Sequence, residues 1–294
     1  MPSATETRSI VFRDVEGIAE MRAVEDLQIE AWGDDERDIV PLNQFVAARY
    51  VGGSLIGAFD NNQMAGFVYG FYGHVGGHIV HHSHMLAVHP AYRNHNLAFR
   101  LKLAQRERVL ADRLTDRITW TFDPLQSLNA HFNFAKLGVI SDIYKINVYG
   151  EAGLSFLHQN GTDRLFVTWL LESPRVKSRI AGKSVPSQVP GNFAQNALQL
   201  LRSSDSGGPE STADVVELSD WDMVLIEIPA DINSIEQANV EAARKWRVET
   251  RRVFSETLAA GFIVTDYYRK NKPTGYYVLE KMHFEDGSVN QPRK

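Results

Sequence analysis

The chain has 294 residues, with 31 Lys and Arg against 36 Asp and Glu and no cysteine. The net charge of −5 leaves no electrostatic footprint for nucleic acid, and the missing thiols exclude disulfides, thiolate metal sites and a cysteine nucleophile. Hydrophobic content of 44% suits a globular protein, no apolar run reaches membrane-spanning length, and the first residues lack a signal peptide's apolar core. A cytoplasmic protein without a membrane partner is expected.

Residues 10–13 read as a strand, with Asp14 as N-cap of an amphipathic helix carrying Ile18, Met21, Val24 and Ile29 inward. A short helix at 43–50 follows. Segments 53–59 and 64–72 read as a hairpin around Asp60, Asn61 and Asn62. A strand at 78–89, a basic loop and a helix at 97–114 come next. Then come a strand at 118–122, a helix at 127–137 stopped by Gly138, and strands at 143–149 and 165–171. This alternation is that of an α/β or α+β layer structure. After Pro174 the composition shifts: 184–212 is rich in Ser, Gly, Pro, Gln and Asn and reads as linker. A strand at 221–228, a long helix opened by a Ser234/Gln237 capping box and closed by Gly261, and strands at 262–268 and 276–280 complete the chain. The expected division is a domain at 8–174, a linker at 175–213 and a C-terminal βαββ extension at 214–294.

The strand ending in Leu86, Ala87 and Val88 runs through a Pro90 turn into Arg93-Asn94-His95-Asn96-Leu97-Ala98, which opens a helix. Backbone N–H groups and the positive end of a helix dipole at a strand's carboxyl end suit a pyrophosphate. The same residues resemble the loop of the GCN5-related N-acyltransferase (GNAT) superfamily, Arg/Gln-x-x-Gly-x-Gly/Ala. Asn96 stands where that family usually has glycine; Asn is among the few other residues that visit the left-handed region readily. The order of strands and helices over about 165 residues is similar too. The resemblance implies a GNAT fold with a mixed central sheet, and acetyl-CoA or another acyl-CoA as co-substrate. It implies cofactor contacts from Leu86, Ala87, Val88, Arg93, Asn94, His95, Asn96, Leu97, Ala98 and Asn129. Phe134 occupies the place of the family's usual tyrosine proton donor, which leaves two routes: the thiolate departs unprotonated, or it takes a proton from Tyr144, Tyr149 or water.

Histidines 74, 78, 81, 82 and 84 crowd one stretch. In a strand His82 and His84 share a face and His81 takes the other, so the five cannot converge on one ion, and no metal is expected. The segment from His82 to His89 resembles the matching strand of arylalkylamine N-acetyltransferases, in which a His-x-His pair relays the amine's proton. Carried over, His84 is the general base, His82 supports it, and the Leu86 N–H serves the oxyanion. An unbroken strand would put His82, His84, Leu86 and Val88 on one side; that polar-to-apolar row requires a bulge or a cleft. Phe71, Tyr72, Trp120 and Phe122 are candidates for an acceptor pocket, with core packing the default.

Four-residue spacing puts Arg247 and Arg251 on one helix face, as a clamp for a carboxylated substrate such as a succinyl group or amino acid. The commoner outcome is a solvated face paired with Glu249 and Glu256. The expected function is transfer of an acetyl or other short acyl group, succinyl included, from acyl-CoA to a primary amine of a small molecule or amino acid. The alternative, kept open by Asn96 and Phe134, is a catalytically silent acyl-CoA-binding or sensor protein. A homodimer is compatible with the sequence.

Overall fold

The computed structural model describes residues 9–33, 39–150, 160–182, 196–212, 215–269, 274–281, 283–285 and 288–290. These fall into two compact units, one running to Thr119 and the other starting at Trp120. The division lies within the expected first domain rather than at its end.

The first unit opens with β1 (Ile10–Asp14), α1 (Gly17–Trp32) and α2 (Leu42–Tyr50). It continues with β2 (Ser54–Asp60), β3 (Gln63–Val75) and β4 (His78–Val88). Helix α3 (Leu97–Asp112) and the start of β5 (Arg117–Phe122) complete it. Strands β1 to β4 form an antiparallel meander, and β5 joins β4 in parallel. The β2–β3 turn needs left-handed backbone, which Asn61 supplies at φ 54.

Two apolar layers sandwich this sheet. On one face Met21, Val24 and Leu27 of α1 and Phe45 of α2 pack with Phe67, Tyr69 and Ala87. On the other, Leu101 of α3 packs with Ile56, Ala58 and Val68. The α1 stripe differs from the expected one: Ile18 and Ile29 are exposed, and Leu27 with Gln28 take the inward places. The buried Gln28 amide is satisfied by both backbone groups of Val40, which makes a polar residue affordable there. Asp14 does not cap α1. It ends β1 and takes Arg108 at 2.8 Å, while Glu20 accepts the Glu16 N–H at 2.7 Å.

The second unit contains α4 (Ser127–Ala130), which passes into a π-helical stretch at His131–Leu137 ended by left-handed Gly138. Strands β6 (Ile140–Lys145) and β7 (Arg164–Leu170) follow, then α5 (Pro174–Ile180). The β6 strand starts earlier than expected and is over before Asn147, whose φ of 49 turns the chain. Next come β8 (Leu198–Ser203), β9 (Pro209–Ser211) and β10 (Met223–Pro229). Helices α6 (Ile232–Ala238) and α7 (Val240–Ala259) precede β11 (Phe262–Arg269) and β12 (Thr274–Lys281). A small hairpin of β13 (His283–Glu285) and β14 (Ser288–Asn290) is separate. The sheet order in this unit is β7-β6-β11-β12-β10-β8-β9.

Two expectations are corrected here. Residues 198–211 are not linker: Leu200 and Leu201 are buried, and β8 pairs in parallel with β10. The expected single C-terminal helix is two, because Asp231 caps the first through the Ser234 N–H and Asn239, in extended backbone, caps the second through the Ala242 N–H. Trp169, Trp246, Phe134, Phe254, Tyr267 and Tyr277 fill the core. Among the described residues no helix is long and apolar enough to cross a membrane.

Candidate active site

The candidate site is built on β4. Its ladder with β3 is regular from Gly66↔Val88 to Tyr69↔Met85, then resumes at Gly70↔Ser83. His84 is therefore the extra residue of a β-bulge. The bulge resolves the row of side chains that an unbroken strand could not satisfy. His84 lies beside Tyr69 and Phe71, at ring-centroid distances of 6.1 and 5.8 Å, and Met85 packs on the same face. Leu86 and Val88 pass to the α3 face, against Leu101 and Ala58. Strand alternation is reset by one residue, with the histidines before the break and the apolar residues after it.

His82 stands 6.3 Å from His84 and 5.7 Å from Phe71, ring to ring, with its Nδ1 3.1 Å from Thr119 Oγ1. Burial, then the neighbouring His84, pushes the His82 pKa down to about 4. Burial of the ring also moves His84 below its ordinary value, although its surface is open to solvent. Both imidazoles are therefore neutral near pH 7 and able to accept a proton. Of the two, His84 is the one open to an incoming amine; for His82, pulling a proton from an ammonium of pKa about 10 onto an imidazole of about 4 is uphill by roughly 8 kcal/mol.

The open edge of β4 comes next. The His89 N–H bonds to Ala65 O of β3. By alternation the Ala87 N–H also faces β3, and those of Leu86 and Val88 face the other way. Among the described residues the β4–β5 ladder pairs only His81↔Ile118 and His82↔Thr119. The Leu86 and Val88 amides thus point from an edge beyond that ladder, where an extended amide-bearing ligand can pair.

At the end of β4, Pro90–Tyr92 form a 3-10 turn into the loop, and α3 begins with Leu97. Asn96 is in the left-handed region, φ 57 and ψ 22, and its side chain makes no cap bond. Asn94, at φ 70, is left-handed too. Arg93, Asn94, His95 and Asn96 are exposed while Leu97 anchors the helix in the core. The first-turn N–H groups of a sixteen-residue helix are thus uncapped by the residue before them, beside a cationic side chain. That is a fit for the pyrophosphate end of acyl-CoA.

The other expected residues belong to the second unit. Asn129 is exposed in the first turn of α4. Phe134 is buried, edge-on to Phe122 and Tyr277 at 6.2 and 5.7 Å, so it is core and donates no proton. Trp120 and Phe122 are core as well, Trp120 donating to Asn133 Oδ1 at 3.3 Å. Of the acceptor-pocket candidates only Phe71 lies beside the histidines. Tyr72 is on the opposite face, its hydroxyl donating to Asp112 at 2.7 Å. Tyr144 donates to Asp163 at 2.8 Å, and burial with that carboxylate raises its pKa well above the ordinary value, which makes it a poor acid.

Arg247 and Arg251 have partners that the sequence reading did not name. Arg247 forks onto both oxygens of Asp123, at 2.8 and 2.7 Å, and gives Nε to Asn160 O. Arg251 forks onto Asp163 at 2.9 and 3.0 Å. Glu249 and Glu256 pair with Arg252 instead. The chain's own aspartates occupy the two guanidinium groups that a carboxylated ligand would need.

One group with a bearing on the site escaped the sequence reading: Lys102, whose Nζ donates to Ser83 Oγ beneath the bulge. Leu97, Leu101, Gln105 and Val109 recur every fourth residue and are all buried. A glutamine inside that stripe was the available signal that α3 turns polar atoms toward β4. Among the described residues, no three His, Cys, Asp or Glu side chains come together to hold a metal ion.

Residues 18–139, which span both units, match the acetyltransferase (GNAT) family model. No curated protein sequence matches the chain. Among solved structures, the NatC complex bound to Gag peptide and CoA is similar at 16% identity over 55% of this chain and 98% of that one, TM-score 0.43. An aminoglycoside 6'-acetyltransferase type Ii is similar at 17% identity over 55% and 97%, TM-score 0.43. A GNAT family acetyltransferase from Elizabethkingia anophelis with acetyl-CoA bound gives 16% over 55% and 98%, TM-score 0.39. Likeness this low carries no substrate from one chain to another.

Proposed function

From the premise that this chain carries a GNAT-family acetyltransferase domain, matched over residues 18–139, we propose that it moves an acetyl or other short acyl group from acyl-CoA to a primary amine of a small molecule or amino acid. The observation that carries the reading is the bulge of β4, which presents His84 immediately before the outward-facing amides of Leu86 and Val88. Acyl-CoA supplies an activated thioester carbonyl. The loop from Arg93 to Ala98 holds its pyrophosphate, and the Leu86–Val88 edge pairs with its amide-bearing arm. The Leu86 N–H receives the negative charge that develops on the carbonyl oxygen. His84, neutral at pH 7, takes the amine's proton as the new C–N bond forms, with His82 alongside in a supporting role. The C–S bond breaks as the amide forms. An alkyl thiol has a pKa of about 8.5, so the thiolate leaves without a dedicated acid and is protonated by solvent.

Asp123 and Asp163 engage Arg247 and Arg251, the two cations that a succinyl or other carboxylated substrate would need. Acetyl and short neutral acyl groups are preferred. The test is release of free CoA from acetyl-, succinyl- and longer acyl-CoA across a panel of primary amines and short peptides. Amine-dependent release, fastest with acetyl-CoA and a small amine, is the expected result. Thermal stabilisation by acyl-CoA with no release for any amine would instead make the protein a silent acyl-CoA binder.

A further inference from the structure

A bulged residue has no opposite number in the ladder, so its direction depends on what grips its neighbours. For His84 those grips differ on the two faces of β4. On its own face are the rings of Tyr69 and Phe71. On the other, Ser83 Oγ accepts a hydrogen bond from Lys102 Nζ at 2.7 Å, and Nζ also reaches Gln105 Oε1 at 3.4 Å. Beside this pair His81 Nε2 lies 3.0 Å from Ser54 Oγ. A Cβ at Gly70 would come within 2.3 Å of the His81 ring and 2.7 Å of His82 O, so the strand is closely fitted here. Lys102 is only 4% exposed. An apolar side chain at that place, next to Leu101, would cost the fold less than a buried amine. Stability alone therefore does not account for it.

We propose that Lys102 is a positioning residue for acyl transfer, its Nζ gripping Ser83 and so fixing the bulge that presents His84. The inference rests on the reading of His84 as the base. Lys102 also acts through charge. Burial pushes its pKa down to about 7, and its ammonium form disfavours protonation of both His81 and His82. His82 faces His84 of β4, Phe71 of β3 and Thr119 of β5, of which only His84 titrates; Lys102 lies across the strand, on the Ser83 face, and acts on His82 through its charge alone. His81 faces Tyr72 of β3, Ser54 of β2 and Lys102 of α3. His84 faces the rings of Tyr69, Phe71 and His82.

Lys102→Met keeps the apolar stem and removes the amine. It should melt at or above the parent temperature and bind acyl-CoA within about twofold of the parent, while kcat falls about tenfold or more. A purely structural lysine would not give that split. The His82 imidazole, followed by NMR, should titrate higher once the opposing charge is gone. Ser83→Ala should reproduce the kcat loss, and the double variant should add little to either single change. Parental kcat in Ser83→Ala overturns the proposal, including the case in which Lys102→Met does not fold. His84→Ala separates the two claims. Parental kcat there defeats the base assignment and this proposal with it. A large loss there, with Lys102→Met and Ser83→Ala at parental rates, defeats this proposal alone.

Discussion

In the first unit His81 and Lys102 lie where β4 meets α3, with His82 on the other face of the strand, and burial is the leading cause that moves the pKa values of His81, His82 and Lys102 down to about 3, about 4 and about 7. In the second unit Arg247 and Arg251 sit in an equally close contact, but Asp123 and Asp163 hold their guanidinium pKa values above the ordinary one, against the effect of burial. A buried cation forked onto a carboxylate is fixed in one charge state across the working pH range. A desolvated histidine is costly to keep, yet it is neutral at pH 7 and can take a proton, while the desolvated Lys102 is left near the midpoint of its titration. The difference separates the unit in which chemistry is proposed from the one in which charge serves structure.

The largest effect should come from breaking the second region. Arg247→Ala leaves the Asp123 carboxylate without its cation and should cost about 3–5 kcal/mol of stability, read as a fall in melting temperature. Replacing both partners by apolar residues of similar size should recover most of it. Unchanged stability with a raised KM confined to carboxylated substrates would restore the clamp reading and remove the contrast.

A second test concerns acid. The folded-state pKa values of His81 and His82 lie below the ordinary 6.5, so the folded protein binds fewer protons than the unfolded chain. Their contribution to stability is whole above pH about 6.5 and is lost as pH falls from there toward 4 and 3. Denaturant unfolding between pH 7 and 5 should show a decline on the order of 4 kcal/mol from the two histidines, about halved in His81→Gln. A decline that His81→Gln leaves untouched would place the acid sensitivity elsewhere.

The smallest effect sharpens the comparison at the loop, where backbone rather than charge is expected to bind. Asn96→Gly should bind acyl-CoA as well as the parent or better. Asn96→Val, opposed to a φ of 57, should weaken binding by about 1–2 kcal/mol. Equal affinities would show that the left-handed turn is not needed for binding.

Much of the first unit was legible because its signals are local. Asn61 and Asn96 are residue types that tolerate left-handed backbone, and both stand there. The row of His82, His84, Leu86 and Val88 demanded a break, though only the ladder shows that the extra residue is His84. Less was legible where partners come from far along the chain. Asp123 and Asp163 lie 124 and 88 residues from the arginines they hold, and no local pattern announces such pairs. Leu200 and Leu201 form a strand because β10 is available beside them; their flanks of Ser, Gly and Gln hid it. Lys102 reads as a surface charge until the packing of α3 on β4 is seen.

The account depends most directly on His84. Single-turnover and steady-state kinetics of His84→Ala, with acyl-CoA affinity measured separately, put it to the test. The account predicts a kcat lower by roughly 100-fold, affinity for acyl-CoA near that of the parent, and loss of the acidic limb of the kcat/KM profile. That limb should lie below pH 6.5 in the parent, because burial lowers the His84 pKa. Near-parental kcat with an unaltered pH profile would contradict it.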